Sequence, residues 1–274
     1  MASDECAEFL RRTLPGLGLR WSGFRRVRGQ VCKRIRRRCT VLGLSGPCAY
    51  GRYLETHPSE RRVLDALCRV TVSRFYRDRE VFDRLREDVV PARARALVQA
   101  GESTLRAWSV GCGSGEEPYT LTLLWHFDLE RRFPGLGLQV TATDVDEALL
   151  RRAARACYKH GTLRDLPPEW LARAFTRVNG EYCLERALCA GVRFERQDVR
   201  RVAPGGSFHW VLCRNLVFTY FEAELQKRVL ERLTRCLAPG GVLVIGRRES
   251  LPAGVGGVDP IEPALGIYAR SYPK

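Results

Sequence analysis

Three glycines, Gly111, Gly113 and Gly115, run straight into two carboxylates, Glu116 and Glu117, and this stretch has the clearest chemical character in the chain. Glycine lets backbone come close to a ligand and takes positive φ at no steric cost. Before the glycines lies a mostly apolar run, Leu105 to Val110, that reads as a buried strand. After them comes a helical segment with Leu121, Leu123 and Leu124. Strand, glycine loop and helix in that order mark a nucleotide-type site. A second strand, Gln139 to Thr143, ends in Asp144, and an acid at that tip accepts hydrogen bonds from two ribose hydroxyls. The spacing is G-x-G-x-G, not the dinucleotide fingerprint, and Glu116 and Glu117 stand where a pyrophosphate would bring negative charge. Carboxylates there repel phosphate and suit a cation. S-adenosylmethionine meets these conditions, with ribose, adenine, a sulfonium, an ammonium and no phosphate.

Such residues need a sheet to hold them. Val192 to Arg196 reads as a strand ending in Gln197-Asp198, and Phe208 to Cys213 as one ending in Arg214-Asn215. Helices are expected over Asp146 to Tyr158 and over Glu222 to Leu237, the latter with Leu225, Val229, Leu230 and Leu233 on one face. Pro239-Gly240-Gly241 stops that helix, Val242 to Gly246 is a further strand, and Ile267 to Ala269 a last one. Strands alternating with helices predict an α/β fold with a parallel sheet covered on both faces. Lys159 to Ala190 breaks the alternation: Leu166-Pro-Pro168, Trp170 to Phe175 and a hairpin around Asn179-Gly180 suggest a small insertion. Pro252 to Gly257 is a glycine-rich loop. Upstream, Val70 to Asp78 alternates like an extended segment, and Val81 to Val98 is an amphipathic helix that closes on Pro91 or runs past it. Residues 1–72 look helical. There, Val27, Val31, Ile35 and Cys39 form one apolar stripe, and Lys33, Arg34, Arg36, Arg37 and Arg38 occupy the rest of the helix.

The 274 residues carry a formal net charge of +15. Residues 1–80 hold 18 Lys and Arg against 8 Asp and Glu, so most of the excess is N-terminal and implies an acidic partner surface. Little aromatic residue is interleaved with the basic ones, which disfavours single-stranded nucleic acid. The 11 cysteines are odd in number and contain no C-x-x-C, an argument against both a zinc site and a disulfide framework. Cys112 and Cys213 read as small buried hydrophobes. His57, His126, His160 and His209 are not spaced for a metal, and none is expected. No apolar run reaches the length of a membrane span, and Met1 to Glu8 lacks a signal pattern, so a cytoplasmic location is expected.

Several stretches together resemble one family, the chemotaxis-receptor methyltransferases (CheR family), which methylate receptor glutamates from S-adenosylmethionine. They are Ser73-Arg-Phe-Tyr-Arg-Asp78, Trp108 to Tyr119, Ala142-Thr-Asp-Val-Asp146, Cys213-Arg-Asn215 with Tyr220-Phe221, and Ala238-Pro-Gly-Gly241. The resemblance implies a Rossmann-like class I methyltransferase domain with a mixed seven-stranded sheet. It implies a basic helical domain and linker over residues 1–80, the methyltransferase domain over 81–274, and an insertion at about 159–191. By the same resemblance Thr71, Ser73 and Arg77 hold the methionine end of the cofactor and Glu117 lies near its ammonium. Asp144 matches the ribose acid, and Asp198 with Val199 the adenine-side pair. Arg214 and Asn215 lie under the methyl group, and Tyr220 beside the reaction centre. Arg77 and Arg214 are expected to orient the substrate carboxylate, with Tyr220 shaping the pocket. The implied partner is an acidic helical protein docked on the basic helix. The sequence departs from the family pattern at Thr71 and Asp198 (each usually Asn), at Ser73 (usually Thr), and by one extra residue before Tyr220. Two other readings stay open on sequence alone: a methyltransferase of a small molecule or RNA, and a non-catalytic S-adenosylmethionine-binding regulator.

Overall fold

The computed structural model describes residues 2–271. The chain forms two compact units, Met1–Val72 with Thr219–Gln226, and Ser73–Phe218 with Lys227–Lys274.

The first unit is helical: α1 (Ala2–Thr13), α2 (Trp21–Phe24), α3 (Arg28–Val41), α4 (Pro47–Thr56) and α5 (Glu60–Leu67). The expected stripe of α3 turns Val31, Ile35 and Cys39 inward, into a core that includes Phe9, Leu10, Tyr50 and Leu64. Its basic residues do not all face outward, as the sequence pattern suggested. Arg34 donates to the carbonyls of Leu67 and Arg69. Arg38 grips Glu60 with two bonds of 2.8 Å. Glu60 is only 7% exposed and also accepts from the Tyr50 hydroxyl at 2.8 Å. The Arg38 hydrogen bonds hold the Glu60 carboxyl below the usual carboxylate range. Two of the five cations are therefore internal braces, and Lys33, Arg36 and Arg37 remain exposed.

The second unit starts with α6 (Arg79–Arg84), a π-helical turn (Leu85–Val89) and α7 (Val90–Gln99), which follow one another without a break, so the amphipathic helix runs past Pro91, with the π-helical turn just ahead of it. The chain continues through β1 (Thr104–Val110), α8 (Glu116–Leu124), β2 (Gly137–Asp144), α9 (Glu147–Arg155) and β3 (Cys157–Tyr158). Next come α10 (His160–Leu163), α11 (Pro168–Ala174), β4 (Phe175–Val178), β5 (Glu181–Leu184), α12 (Arg186–Cys189), β6 (Val192–Arg196) and β7 (Phe208–Cys213). The last elements of the chain are α13 (Val217–Tyr220) and α14 (Ala223–Cys236), of which residues 219–226 belong to the helical unit, then β8 (Leu237–Ile245), β9 (Val258–Glu262) and β10 (Ile267–Arg270). Seven strands form one sheet in the order β6-β2-β1-β7-β8-β10-β9, parallel except for β10, which runs antiparallel to both neighbours. β1 and β7, at the centre, are buried almost throughout.

The insertion is a second sheet of order β3-β5-β4, its hairpin turning through Asn179 and Gly180 at φ 51° and 81°. Here the expected helix over Asp146 to Tyr158 is too long. Asp146 caps α9 by accepting from Ala148 N, and Ala156 at φ 52° ends it, freeing Cys157 and Tyr158 to pair with β5. β9 escaped the sequence reading because Asp259 and Pro260 interrupt its pattern.

The expectation of no disulfides is overturned. Cys6 bonds to Cys32 in the helical unit, and Cys157 to Cys183 across β3 and β5. An odd count and the lack of a short motif say nothing about which cysteines the fold brings together, and each bridge joins residues 26 apart in sequence. Cys112 and Cys213 are buried thiols, as expected. On chain entropy a loop of this length is stabilised by about 3 kcal/mol. Cys157→Ser with Cys183→Ser is expected to speed amide hydrogen exchange in β3 and β5 at least tenfold; exchange read by mass spectrometry checks this.

His209 lies on β7, 3% exposed, with Nδ1 accepting from Arg106 N at 3.0 Å and Nε2 3.2 Å from the Arg106 guanidinium. Burial first, then Arg106 and Arg93, push its pKa down to about 4. An unfolded histidine titrates near 6.5, so the folded state binds fewer protons between those values. Stability is full above about pH 6.5 and falls as pH drops towards 4, by on the order of 3 kcal/mol. Urea unfolding at pH 7 and 5 is expected to show about 2 kcal/mol of that loss, and His209→Gln to flatten it.

Candidate functional site

The glycine loop leaves the end of β1 in a left-handed course: Gly111, Gly113 and Gly115 have φ of 67°, 57° and 91°. A side chain at Gly115 would meet Ala153 Cβ at 3.0 Å and the Tyr158 hydroxyl at 3.1 Å, so the loop is packed down as well as turned. Asp144, at the end of β2, accepts from Gly113 N at 2.9 Å through Oδ2 and from Asp146 N at 2.8 Å through Oδ1. Tyr158 donates from its hydroxyl to Ser114 O at 2.8 Å, so the three-stranded sheet also braces the loop. Asp144 thus holds the loop's shape before any ligand arrives.

The loop opens into α8, whose first two residues differ in surroundings. Glu116 is 4% exposed, and burial pushes its pKa above the usual carboxylate range; hydrogen bonding from Ser73 opposes this, and Oε2 has no partner among the described residues. Glu117 is half-buried and accepts from Ser109 Oγ at 2.8 Å through Oε1. Its Oε2 lies 3.2 Å from Arg214 Nη1.

Arg214 follows β7, with its side chain 3% exposed. Nη2 donates to Asp78 Oδ2 at 2.7 Å and to the Arg77 carbonyl at 2.8 Å, and the guanidinium lies 4.9 Å from the Phe82 ring centroid. One cation therefore ties together the end of β7, the start of α8 and the Ser73–Asp78 segment. That segment is anchored on its own account. Phe75 is buried against Tyr158 and Phe175, and Tyr76 N donates to Thr120 Oγ1 at 3.1 Å. Tyr76 and Asp78 both take positive φ, 53° and 61°, which non-glycine residues adopt at a cost of about 1–3 kcal/mol. Asn215 does so too, at φ 56°, while its N–H and that of Gly246 donate to Glu249 Oε2 at 2.8 and 2.6 Å.

At the β6 end, Asp198 is held by the Arg200 guanidinium, with Nε to Oδ1 at 2.9 Å and Nη2 to Oδ2 at 2.8 Å. Val199 is buried and its carbonyl accepts from Arg232 at 2.7 Å.

Of the residues singled out from sequence, Ser73, Arg77, Gly111, Gly113, Gly115, Glu117, Asp144, Asp198, Val199, Arg214 and Asn215 belong to the sheet-bearing unit. Its strand ends place Asp144 at the tip of β2 and the glycine loop, Asp198 and Arg214 just after β1, β6 and β7. Thr71 and Tyr220 belong to the helical unit. Thr71 is exposed. The Tyr220 ring lies 5.0 Å from that of Phe24, and its carbonyl accepts from Arg20 N at 2.8 Å. Sequence reasoning passed over Asp78, Ser109, Tyr158 and Glu249. Asp78 stood inside a quoted motif, but nothing in one dimension pairs it with Arg214. No group of three or more His, Cys, Asp or Glu suited to a metal occurs among the described residues.

The donor set fits S-adenosylmethionine: a glycine loop shaped by an acid, with two further carboxylates beside it and one cation already taken up by Glu117 and Asp78. The strand order, the lone antiparallel strand and the loop after the first strand define a Rossmann-like class I methyltransferase domain. Residues 71–261 match the model of the CheR methyltransferase, SAM binding domain, and the chain belongs to that family of S-adenosylmethionine-dependent methyltransferases. It is 30% identical over 205 residues to the chemotaxis protein methyltransferase of Listeria monocytogenes, covering 74% of this chain and 75% of that protein. The Escherichia coli chemotaxis protein methyltransferase is 30% identical over 231 residues, 81% of this chain and 77% of that one. An uncharacterized 104.1 kDa protein of Rhodobacter capsulatus is 34% identical over 227 residues, and there the match spans 81% of this chain but only 23% of the relative.

Proposed function

We propose that this protein methylates glutamate side chains of a chemoreceptor-like signalling protein. The observation that carries the reading is the Arg214 cluster, which joins the family's Ser73–Asp78 segment to the start of α8, next to the glycine loop. When bound, S-adenosylmethionine supplies a methyl group on a cationic sulfur. A glutamate is already ionised near neutral pH, so the residues here have orientation and approach as their task, an effect worth about 7–11 kcal/mol at best. Asp144 holds the ribose diol and the loop together. Glu117, with Ser73, receives the methionine end, and Asp198 with Val199 the adenine. Buried Arg214 is a positioning residue: its charge is spent on Glu117 and Asp78, so it sets the segment and Glu117 without clamping the acceptor. Arg77 meets the incoming carboxylate, and Asn215 shapes its approach.

The acceptor is an acidic helix that docks on the exposed cations of α3, Lys33, Arg36 and Arg37, in a basic N-terminal domain. We place the reaction in the cytoplasm; no helix among the described residues is long and apolar enough to cross a membrane. The test is transfer of labelled methyl from S-adenosylmethionine to host-lysate protein. Label released as methanol by mild alkali supports a carboxyl ester. Alkali-stable label, or label on RNA or a small molecule, sinks the glutamate assignment, and cofactor binding without any transfer sinks the enzymatic one.

A further inference from the structure

In the helical unit a cavity of about 310 Å³ lies among α1, α4, α5 and the 3₁₀ turn Pro15–Leu17, with no α3 residue in its lining. Its lining is divided in character. Phe9, Leu54 and Leu64, all 6% exposed or less, form an apolar floor. Arg12, Arg52 and Arg61 stand on the exposed rim, with Glu55 the only acid. Space is left by glycine at Gly16, beside which an added Cβ would meet nothing within 4 Å.

Four other arginines of this unit find partners within it: Arg11 with Glu8, Arg34 with two carbonyls, Arg38 with Glu60, Arg69 with Asp65. Arg12, Arg52 and Arg61 have none among the described residues. Three like charges around one small concavity repel one another, and Glu55 is the one acid among the lining residues. A dense polyanion would meet Glu55 unfavourably. A peptide would not: its carboxylates pair with guanidinium forks, its backbone N–H donates to Glu55, and an apolar side chain fills the floor. The volume lies at the lower end of ligand pockets, about 300–1,000 Å³.

We infer that this cavity is a docking site for an acidic peptide segment carrying one bulky aliphatic side chain. It stands apart from the methyl-transfer reading, since neither the cavity nor its cations belong to the glycine-loop site.

The probe is a ten-residue glutamate-rich peptide with a single central leucine, titrated calorimetrically into the full chain. Saturable binding is expected, weakened at least tenfold by Arg52→Glu with Arg61→Glu, by leucine-to-serine replacement in the peptide, and by raising salt from 0.05 to 0.5 M. Lys33→Glu with Arg37→Glu, on α3, is expected to leave it unchanged, which separates this site from the acceptor docking proposed above. Circular dichroism and thermal melting check that the variants fold. A second reading needs no variant: Cys48 lines the cavity and is an exposed free thiol, so bound peptide is expected to slow its alkylation several-fold. No saturable binding, loss of binding only on the α3 reversal, an unchanged Cys48 rate, or displacement by ATP with tighter binding of ATP itself would each overturn the inference.

Discussion

Asp144→Ala is expected to lower affinity for S-adenosylmethionine by about 10²- to 10⁴-fold, the larger part of which Asp144→Asn does not restore. The side chain has two jobs. Its oxygens already accept from Gly113 N and Asp146 N at 2.9 and 2.8 Å, which fixes the loop, and we propose that they also receive the ribose diol. Hydrogen bonds to a charged group contribute about 1.5–3 kcal/mol each, and 1.4 kcal/mol is a factor of ten. Losing two such bonds gives about 3–6 kcal/mol. Asparagine keeps one acceptor oxygen but puts an NH₂ where the second was, facing a backbone N–H. Calorimetric titration with S-adenosylmethionine and with its demethylated product measures the change. Affinity within threefold of the unaltered protein removes Asp144 from the cofactor site.

Arg214→Met is expected to be the more damaging change for the protein as a whole. The guanidinium is the shared partner of Glu117 and Asp78, with its side chain 3% exposed. Removing one partner of a buried ion pair leaves uncompensated charge and costs about 3–5 kcal/mol. Here two carboxylates are left, together with the Arg77 carbonyl. Arg214→Lys is expected to rescue little, because an ammonium cannot span three acceptors arranged for a planar fork. The double variant Arg214→Met, Glu117→Gln is expected to regain part of the stability, since it removes one orphaned charge. Urea midpoints for the unaltered protein, Arg214→Met, Glu117→Gln and the double variant test this, and additive losses would show that Arg214 and Glu117 are not coupled. In the methyl-transfer assay, run at a temperature where circular dichroism shows Arg214→Lys still folded, turnover is expected to fall at least tenfold through loss of the set geometry of Asp78 and Glu117.

Much of the sheet-bearing unit was legible because its signals are local. Apolar runs bounded by glycine, acid or arginine gave β1, β2, β6 and β7, and the residues just past each strand end were the candidate site residues. In a parallel sheet those ends share one edge, so one-dimensional position already carried three-dimensional meaning. What failed was pairing between distant segments. Ala156 at φ 52° cuts the predicted helix short because β3 finds a partner in β5, and no residue nearby announces that. The basic helix misled in the same way: Arg34 and Arg38 read as solvated charge until Leu67, Arg69 and Glu60 were brought to them.

By itself, then, the sequence determined the type of ligand and the layout of its cradle: glycines that permit positive φ, carboxylates that repel phosphate, an acid at the second strand's tip. Those properties belong to single residues and their immediate neighbours. Only the tertiary structure decided which charges neutralise each other, which cysteines meet and which cations remain for a partner. Contacts of that kind depend on the meeting of side chains dozens of residues apart, as Arg214 meets Asp78 and Glu117, and no spacing along the chain encodes them.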